Sequence, residues 1–483
     1  MLHTKDITNV RELKNSFSHS DQNADLFFDL MAPFKTGNWK NPMVGLKIKG
    51  YSFQSIISVL IVLPFTGQKT VRGFIHSWFS CVIEAQKDVF YRLMNSSTIC
   101  WRVLLYRFVT DFNRIVAAAS QHGNEVKCLI LDDSLLPKTG KKIEFMGRVW
   151  DHVRQTSVLG FKLLVLGYFD GTSFIPVDFS FHREKGRNKQ KPYGMPKRSL
   201  NKQYKKQRDK KSAAAKRVGE LDKSKIKCGI KMIKRAISKG LKVDYVLCDS
   251  WFTSLELIEA ISSIKKQTVH LIGMYKTAKT KFECKGMELT TKQIREQNRK
   301  NIKRCRRLGL QYIQTSVWVN GRQLKMFFSR KGNNGKWRVF LCSDRTLSFI
   351  KMMQLYQIRW GIEVFFKECK QLLGLGKCQS NDFDAQIGHT TIVMISFILM
   401  TLRHRFDQYE TKGGVFVHTQ QEMLSLRLSE RLWGLLVEVL KIITELFEEV
   451  DEQELVSRII NNQEAWAKLR SIIQGRDVCQ QAA

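Results

Sequence analysis

VKCLILDDS, residues 126–134, is a short β-rich run that closes on two carboxylates. Two runs of the same kind follow it, GFKLLVLGYFD at 160–170 and SFIPVDFSFH at 173–182, set apart by turn-forming residues. KSKIKCGIKMIKRAISKG, at 223–240, then has helical spacing and stops on a glycine. YVLCDS at 245–250 predicts a strand, SLELIEAISSIKK at 254–266 a helix, and HLIGMY at 270–275 another strand. The order β-β-β-α-β-α-β describes a mixed α/β sheet. In this reading its first and fourth strands each end in an aspartate, Asp132 and Asp249.

Further along, YIQTSVWVN, QLKMFFSR and KWRVFLCSD alternate as strands, with turns at Asn320–Gly321 and Asn333–Gly335. They predict a small antiparallel region inserted before a long helix from about Leu347 to Leu373. Helical spacing continues through 384–406 and 420–474. On the other side, residues 1–120 read as mostly helical. Two apolar helices at 52–79 are broken at Pro64–Gly67, with Lys69, Arg72 and Lys87 nearby. That pattern fits a DNA-reading module, and it fits a plain helical bundle.

Charge is the outlier in the composition. The 483 residues hold 80 Lys+Arg against 44 Asp+Glu, a net charge of +36. Such an excess repels itself in a compact chain and calls for a polyanionic partner. The charge is also concentrated. Residues 183–217 carry 15 basic and two acidic side chains, and residues 276–308 carry 12 and three. Each run alone also reads as a solvated loop; both together suit nucleic acid. The stretch 428–455, with eight acidic and two basic residues, suits protein packing instead.

Other classes fit poorly. The longest apolar stretches, Ile56–Phe65 and Thr390–Leu402, fall short of a membrane span. The N-terminus shows no apolar export signal. The eleven cysteines are dispersed without a CxxC pair, and no HExxH occurs, so neither a disulfide frame nor zinc is expected. No aromatic-rich RNA-recognition motif is visible.

Within the 347–373 helix, Tyr356, Arg359, Glu363 and Lys370 stand at offsets 0, 3, 7 and 14. At 100° per residue they share roughly 60° of arc. A carboxylate among a phenol, a guanidinium and an ammonium suits a phosphodiester and a metal ion. An ordinary amphipathic helix with an internal Arg–Glu pair has the same spacing. The two strand-end aspartates add weight. Carboxylates from two neighbouring strands and a packed helix would supply oxygen ligands for hard divalent cations. Asp132 and Asp133 are adjacent and point to opposite faces, so one of them is the ligand. Residue type and alternation alone leave both open. Glu368 lies off the polar stripe.

YQIRWGIEVFFKECK, 356–370, resembles the Tyr-x2-Arg-x3-Glu-x6-Lys signature of bacterial insertion-sequence DDE transposases of the insertion-sequence-four family. Asp132 with Ser134, and Asp249 in VLCDSWF, are similar to that family's two other acidic motifs, and the Asp-x-Ser match favours Asp132 over Asp133. The resemblance covers roughly 125–410. It implies an α/β fold with an RNase H-like mixed-sheet catalytic core, a β-rich insertion and flanking helical regions. It implies Asp132, Asp249 and Glu363 as catalytic residues and ligands of two Mg²⁺ ions, with Mn²⁺ as a substitute. It implies DNA contacts by Tyr356, Arg359 and Lys370, and a flipped base stacked on Trp337, with Trp318 as the alternative. Sheet packing explains Trp337 equally well.

The expected organisation is a helical, DNA-binding region at 1–122 and a first core part at 123–275 holding the basic segment 183–217. A basic and β-rich insertion spans 276–345. The final core helices span 346–410, and a helical region suited to dimerisation spans 411–483. The expected function is cut-and-paste transposition by a cytoplasmic, nucleoid-associated bacterial protein. Its partners are double-stranded DNA at the element ends and target, and a second copy of the chain; no membrane and no zinc are expected. A nuclease on the same fold, or a DNA-binding protein derived from a transposase, are the competing readings. The second needs a lost acidic residue, and all three are present.

Overall fold

The computed structural model describes residues 50–77, 83, 85–119, 125–277, 280–406 and 409–423, together with 34, 462 and 464. The helices expected within 1–49 and most of 420–474 lie outside the described residues. The chain divides into two compact units. One comprises 1–33, 62–85 and 413–483; the other comprises 34–61 and 86–412.

In the smaller unit, a 3-10 turn at Leu63–Thr66 carries Pro64 in its first turn and closes on Gly67 in the left-handed region. The helix break expected there is present. The helix after it is only Val71–Ile75, capped by the Thr70 hydroxyl, which accepts from the Gly73 amide at 3.0 Å. Phe65 packs on Phe416 with ring centroids 5.4 Å apart.

The larger unit holds α1 (Phe53–Val62), α2 (Lys87–Met94) and α3 (Trp101–Ala119) ahead of the sheet. It continues with β1 (Cys128–Pro137), β2 (Gly147–Asp151), β3 (Thr156–Phe169) and β4 (Phe174–His182). Next come α4 (Ala213–Val218), α5 (Lys225–Ser238), β5 (Tyr245–Cys248), α6 (Leu255–Ser262) and β6 (His270–Tyr275). The insertion supplies β7 (Lys281–Cys284), β8 (Met287–Thr290), α7 (Thr291–Gln297), β9 (Lys303–Cys305), β10 (Leu310–Val319), β11 (Arg322–Lys331) and β12 (Arg338–Cys342). The last described elements of this unit are α8 (Phe349–Gln357), α9 (Trp360–Gln371) and α10 (Phe383–Phe406).

Among the described residues, the twelve strands join one sheet. Its path runs β2-β3-β1-β5-β6-β12-β11-β10-β7-β8, with β4 on β3 and β9 on β10. At its centre, β1, β3 and β4 form an antiparallel meander. β5 then pairs parallel to β1, and β6 parallel to β5. This five-strand order is the RNase H-like core expected from the sequence. The insertion strands are not a separate small region: β12 pairs antiparallel with β6, so they prolong the core sheet.

Helices cover both faces. On one, Gly229 of α5 sits against Leu131; a Cβ there would lie 2.6 Å from the leucine Cδ2. On the other, Phe365 of α9 packs on Phe174 of β4 at 5.8 Å. Gly167 makes that contact possible, because a Cβ at this position would lie 2.1 Å from the Phe174 ring. The 24-residue α10 is apolar enough in length and composition to cross a membrane, yet 94% of its most apolar window is buried within the protein. It is a core helix, contacting α2, α3 and β4. Leu104, Leu105, Phe108 and Phe112 of α3 are fully buried or nearly so. Residues 86–119 of the expected N-terminal region therefore pack as part of the core unit.

The basic segment 183–217 is folded onto the core rather than free. Arg208 bonds Glu144 at 2.5 Å and Asp384 at 2.9 Å, and Lys206 bonds Asp382 at 2.8 Å. These two cations are internal. Lys185, Arg187, Lys189, Lys191, Lys210 and Lys211 are exposed.

Candidate active site

Strand register places the first two carboxylates. Leu131 of β1 pairs with Cys248 of β5, where the parallel pairing stops. Asp132 and Asp249 are the next residue on each chain, so their backbones start about one strand spacing apart, ~4.8 Å. Asp132 is not at a strand end, as the sequence suggested. β1 runs on to Pro137 because β3 keeps pairing with it after β5 has finished. The shorter strand thus exposes the edge of the longer one beside Asp132.

Alternation sorts the adjacent aspartates. Leu131 and Asp133 face α5, where the Lys225 ammonium bonds Asp133 at 2.7 Å. Asp132 faces α9, where the Arg359 guanidinium bonds its Oδ2 at 2.9 Å. Of the two, Asp132 is the one that shares a face with Glu363.

The loop after β5 is tightly made. Asp249 Oδ1 accepts from the amides of Trp251 at 2.9 Å and Phe252 at 3.2 Å. The Thr253 hydroxyl donates to the Asp249 carbonyl at 2.7 Å. Thr253 fits only because residue 273 on β6 is glycine; a Cβ there would lie 2.2 Å from the threonine hydroxyl. The Asp249 carboxylate is therefore held at the sheet edge by its own loop.

The expected single helix over 347–373 is two helices. Between α8 and α9 the amides of Ile358, Arg359, Gly361 and Ile362 each bond the carbonyl three residues back. This tightened turn swings Arg359 toward the sheet. All four signature side chains still reach the same edge. The Tyr356 hydroxyl donates to the Cys248 carbonyl at 3.3 Å. Arg359 bridges Asp132 and Glu363, its second nitrogen bonding the glutamate. Lys370 donates to the Ser134 hydroxyl at 2.7 Å. Glu368 instead faces Lys412 at 4.0 Å, away from this group.

The electrostatics are unbalanced. Burial and the neighbouring Asp249 push the Asp132 carboxyl up to about 7, despite Arg359. Burial also raises Asp249. It lowers Lys370 and raises Tyr356, each toward its neutral form. One guanidinium serves three carboxylates, which leaves this edge short of positive charge. Among the described residues, no three ligating side chains stand preassembled as a metal cluster. The all-oxygen set of Asp132, Asp249 and Glu363 nevertheless suits a hard divalent cation, and the raised Asp132 carboxyl marks the charge such an ion would supply.

Trp337 is not part of this group. It lies just before β12 and stacks under the Arg330 guanidinium at 4.7 Å. Together with Arg295, Glu296, Arg299, Ile302 and Ile313 it lines a separate cleft of about 260 Å³. Trp318 is exposed on β10. The pairing of Asp133 with Lys225 was missed in the sequence, since it depends on which helix covers which face.

Two family models match parts of the chain. Residues 221–399 match the family described as "Transposase DDE domain", and residues 62–279 match "DDE superfamily endonuclease". The first range contains Asp249 and Glu363, the second Asp132 and Asp249. Among curated proteins none matches the chain. Similar solved structures include the NurA nuclease from Sulfolobus solfataricus, at 12% identity over 57% of this chain and 86% of that one, with a TM-score of 0.21. Another is the Drosophila P element transposase strand transfer complex, at 9% identity over 94% and 87%, with a TM-score of 0.22. Over these two ranges the chain is similar to the DDE domains of transposases and endonucleases.

Proposed function

We propose that the protein is a DNA transposase that cuts a mobile element at its terminal inverted repeats and joins the freed 3′ ends to target DNA. The observation that carries this reading is the register-adjacent pair Asp132 and Asp249, linked to Glu363 through Arg359. The reading places the protein in the insertion-sequence-four family of bacteria, working on the nucleoid as a homodimer, since two ends must be cut and joined.

Asp132, Asp249 and Glu363 would hold two Mg²⁺ ions, or Mn²⁺ in their place. When bound there, such ions activate the attacking oxygen and stabilise the leaving one. Arg359 stands at the carboxylates and can transfer a charged hydrogen bond to a phosphate oxygen. Lys370 and Tyr356 fix the two ends of the same edge, where they would orient the phosphodiester. Rate enhancement in this arrangement comes from positioning and electrostatic stabilisation. The exposed lysines and arginines of 183–217 give a charged approach for the duplex, anchored at Lys206 and Arg208.

The test is to incubate linear DNA carrying the gene and its own flanks with the purified protein and Mg²⁺, beside Glu363→Gln, and to map every strand break and new joint. Paired breaks at inverted repeats with new DNA–DNA joints, absent in the variant, are expected. Scattered breaks without joints would make the protein a nuclease instead. Tight binding without breaks would contradict both enzymatic readings.

A further inference from the structure

Trp251 is the unexplained side chain beside the carboxylates. It lies two residues after Asp249 and is 50% exposed, whereas its neighbour Phe252 is fully buried and supplies the local packing. A tryptophan left half in water contributes little to the fold, and a fixed indole offers a flat apolar face of the kind enriched where molecules meet. Its placement is nevertheless fixed. The backbone amide bonds Asp249 Oδ1 at 2.9 Å, and the ring meets Phe252 edge-on at 4.9 Å. The Lys225 ammonium sits 4.1 Å from the indole centroid. Lys225 in turn is held by Asp133 at 2.7 Å. So the aspartate that does not face Glu363 aims a cation at an indole, one loop away from Asp249.

We propose that Trp251 and Lys225 form a nucleotide subsite next to the scissile phosphodiester. The indole stacks on one base and Lys225 contacts that nucleotide's phosphate. The chemistry on the page supports a nucleotide over other ligands. A π-face with an adjacent ammonium matches a base with its phosphate, and the flanking backbone carries Asp249, one of the carboxylates of the reaction centre. Lys225 exchanges its place over the ring for the phosphate, while Asp133 keeps it within reach. In this role Trp251 is a positioning residue: it sets which phosphodiester lies over Asp132 and Asp249. The inference rests on the DNA-cleaving reading above, and the experiment separates the two.

Wild type, Trp251→Ala and Trp251→Phe are compared in single-turnover cleavage at the breaks mapped with wild type. The substrates are the intact duplex and a set with one abasic nucleotide at each position around the break. Trp251→Ala is expected to lose about 5- to 150-fold on the intact duplex, the range of one base–aromatic stack. Trp251→Phe should recover most of the loss. One abasic position should slow wild type by a similar factor and leave Trp251→Ala unaffected. An alanine variant as fast as wild type overturns the subsite, as does a loss that persists equally on every abasic substrate. Should wild type make no break, the cleaving reading falls and the subsite is judged by equilibrium binding of single-stranded oligonucleotides. A 5- to 150-fold weaker alanine variant, restored by phenylalanine, then upholds it; equal affinities overturn it. Melting curves of all three variants report folding separately.

Discussion

Two carboxylates of the core sheet meet opposite fates. Asp178 on β4 is completely buried, and Arg102, Arg217 and Arg235 surround it. They hold its carboxyl below the usual range against the cost of burial. Asp132 on β1 is only half-buried, its side chain 15% exposed; it has one arginine and a second aspartate beside it, and its carboxyl is pushed up to about 7. The first group is a charge-satisfied tie between β4 and the helices α3, α4 and α5. The second is left short of positive charge. Structural ion clusters balance themselves from within, whereas this edge keeps a deficit for something else to fill.

The largest effect should come from breaking the satisfied cluster. Asp178→Asn removes the fully buried carboxylate that Arg102, Arg217 and Arg235 share, leaves only Glu220 against Arg102 and Arg217, and should destabilise the fold by about 3–5 kcal/mol. Chemical denaturation of the variant against wild type checks it. The same exchange in the deficient site should do the reverse. An acid raised in the folded state holds its proton longer than in the unfolded chain. Its contribution to stability therefore falls as pH rises from about 4 to about 7 and stays lost above that. Asp132→Asn should stabilise the protein by about 1–3 kcal/mol at pH 8 and by much less at pH 5. Denaturation at the two pH values decides; a gain independent of pH would refute the deficit.

A packing change tests how the site is seated. Gly167→Ala forces the Phe174 ring away from β3 and disturbs the bed of α9, at a cost of about 1–3 kcal/mol. Cleavage should fall with it, since Arg359 and Glu363 ride on that seat. The smallest effect on stability belongs to the exposed cations. Lys210→Gln with Lys211→Gln should leave melting within about 0.5 kcal/mol. If both lysines contact phosphates, the salt dependence of DNA binding should flatten by about two units of slope.

Much of the core was legible because its strands are apolar runs bounded by turn residues. Strands β1, β3 to β6 and β10 to β12 are all of that kind. Strands β2, β7, β8 and β9 escaped notice: GRVWD, KFEC, MELT and KRC are short, polar and indistinguishable from loops until a neighbour pairs with them. At the site, periodicity alone aligned Tyr356, Arg359, Glu363 and Lys370, even though the helix carrying them breaks at Arg359. That Asp132 faces Arg359 while Asp133 faces Lys225 needed the register of β1 on β5 and the identity of the helix on each face. The Asp178 cluster was invisible for a related reason. Its partners at 102, 217 and 235 come from three helices far apart in sequence. Basic residues inside 183–217 read as one uniform run, yet Lys206 and Arg208 turn inward to acids at 144, 382 and 384.

The charge deficit at the Asp132 edge turns on one measurement: thermal melting of wild type, Asp132→Asn and Asp249→Asn at pH 8, with and without Mg²⁺. A cation that binds the folded state alone raises stability by mass action, by about 2.7 kcal/mol at a hundredfold excess over its dissociation constant. The account predicts that Mg²⁺ raises the wild-type melting temperature and leaves both variants nearly unmoved. Equal shifts in all three proteins, or none in wild type, would contradict it.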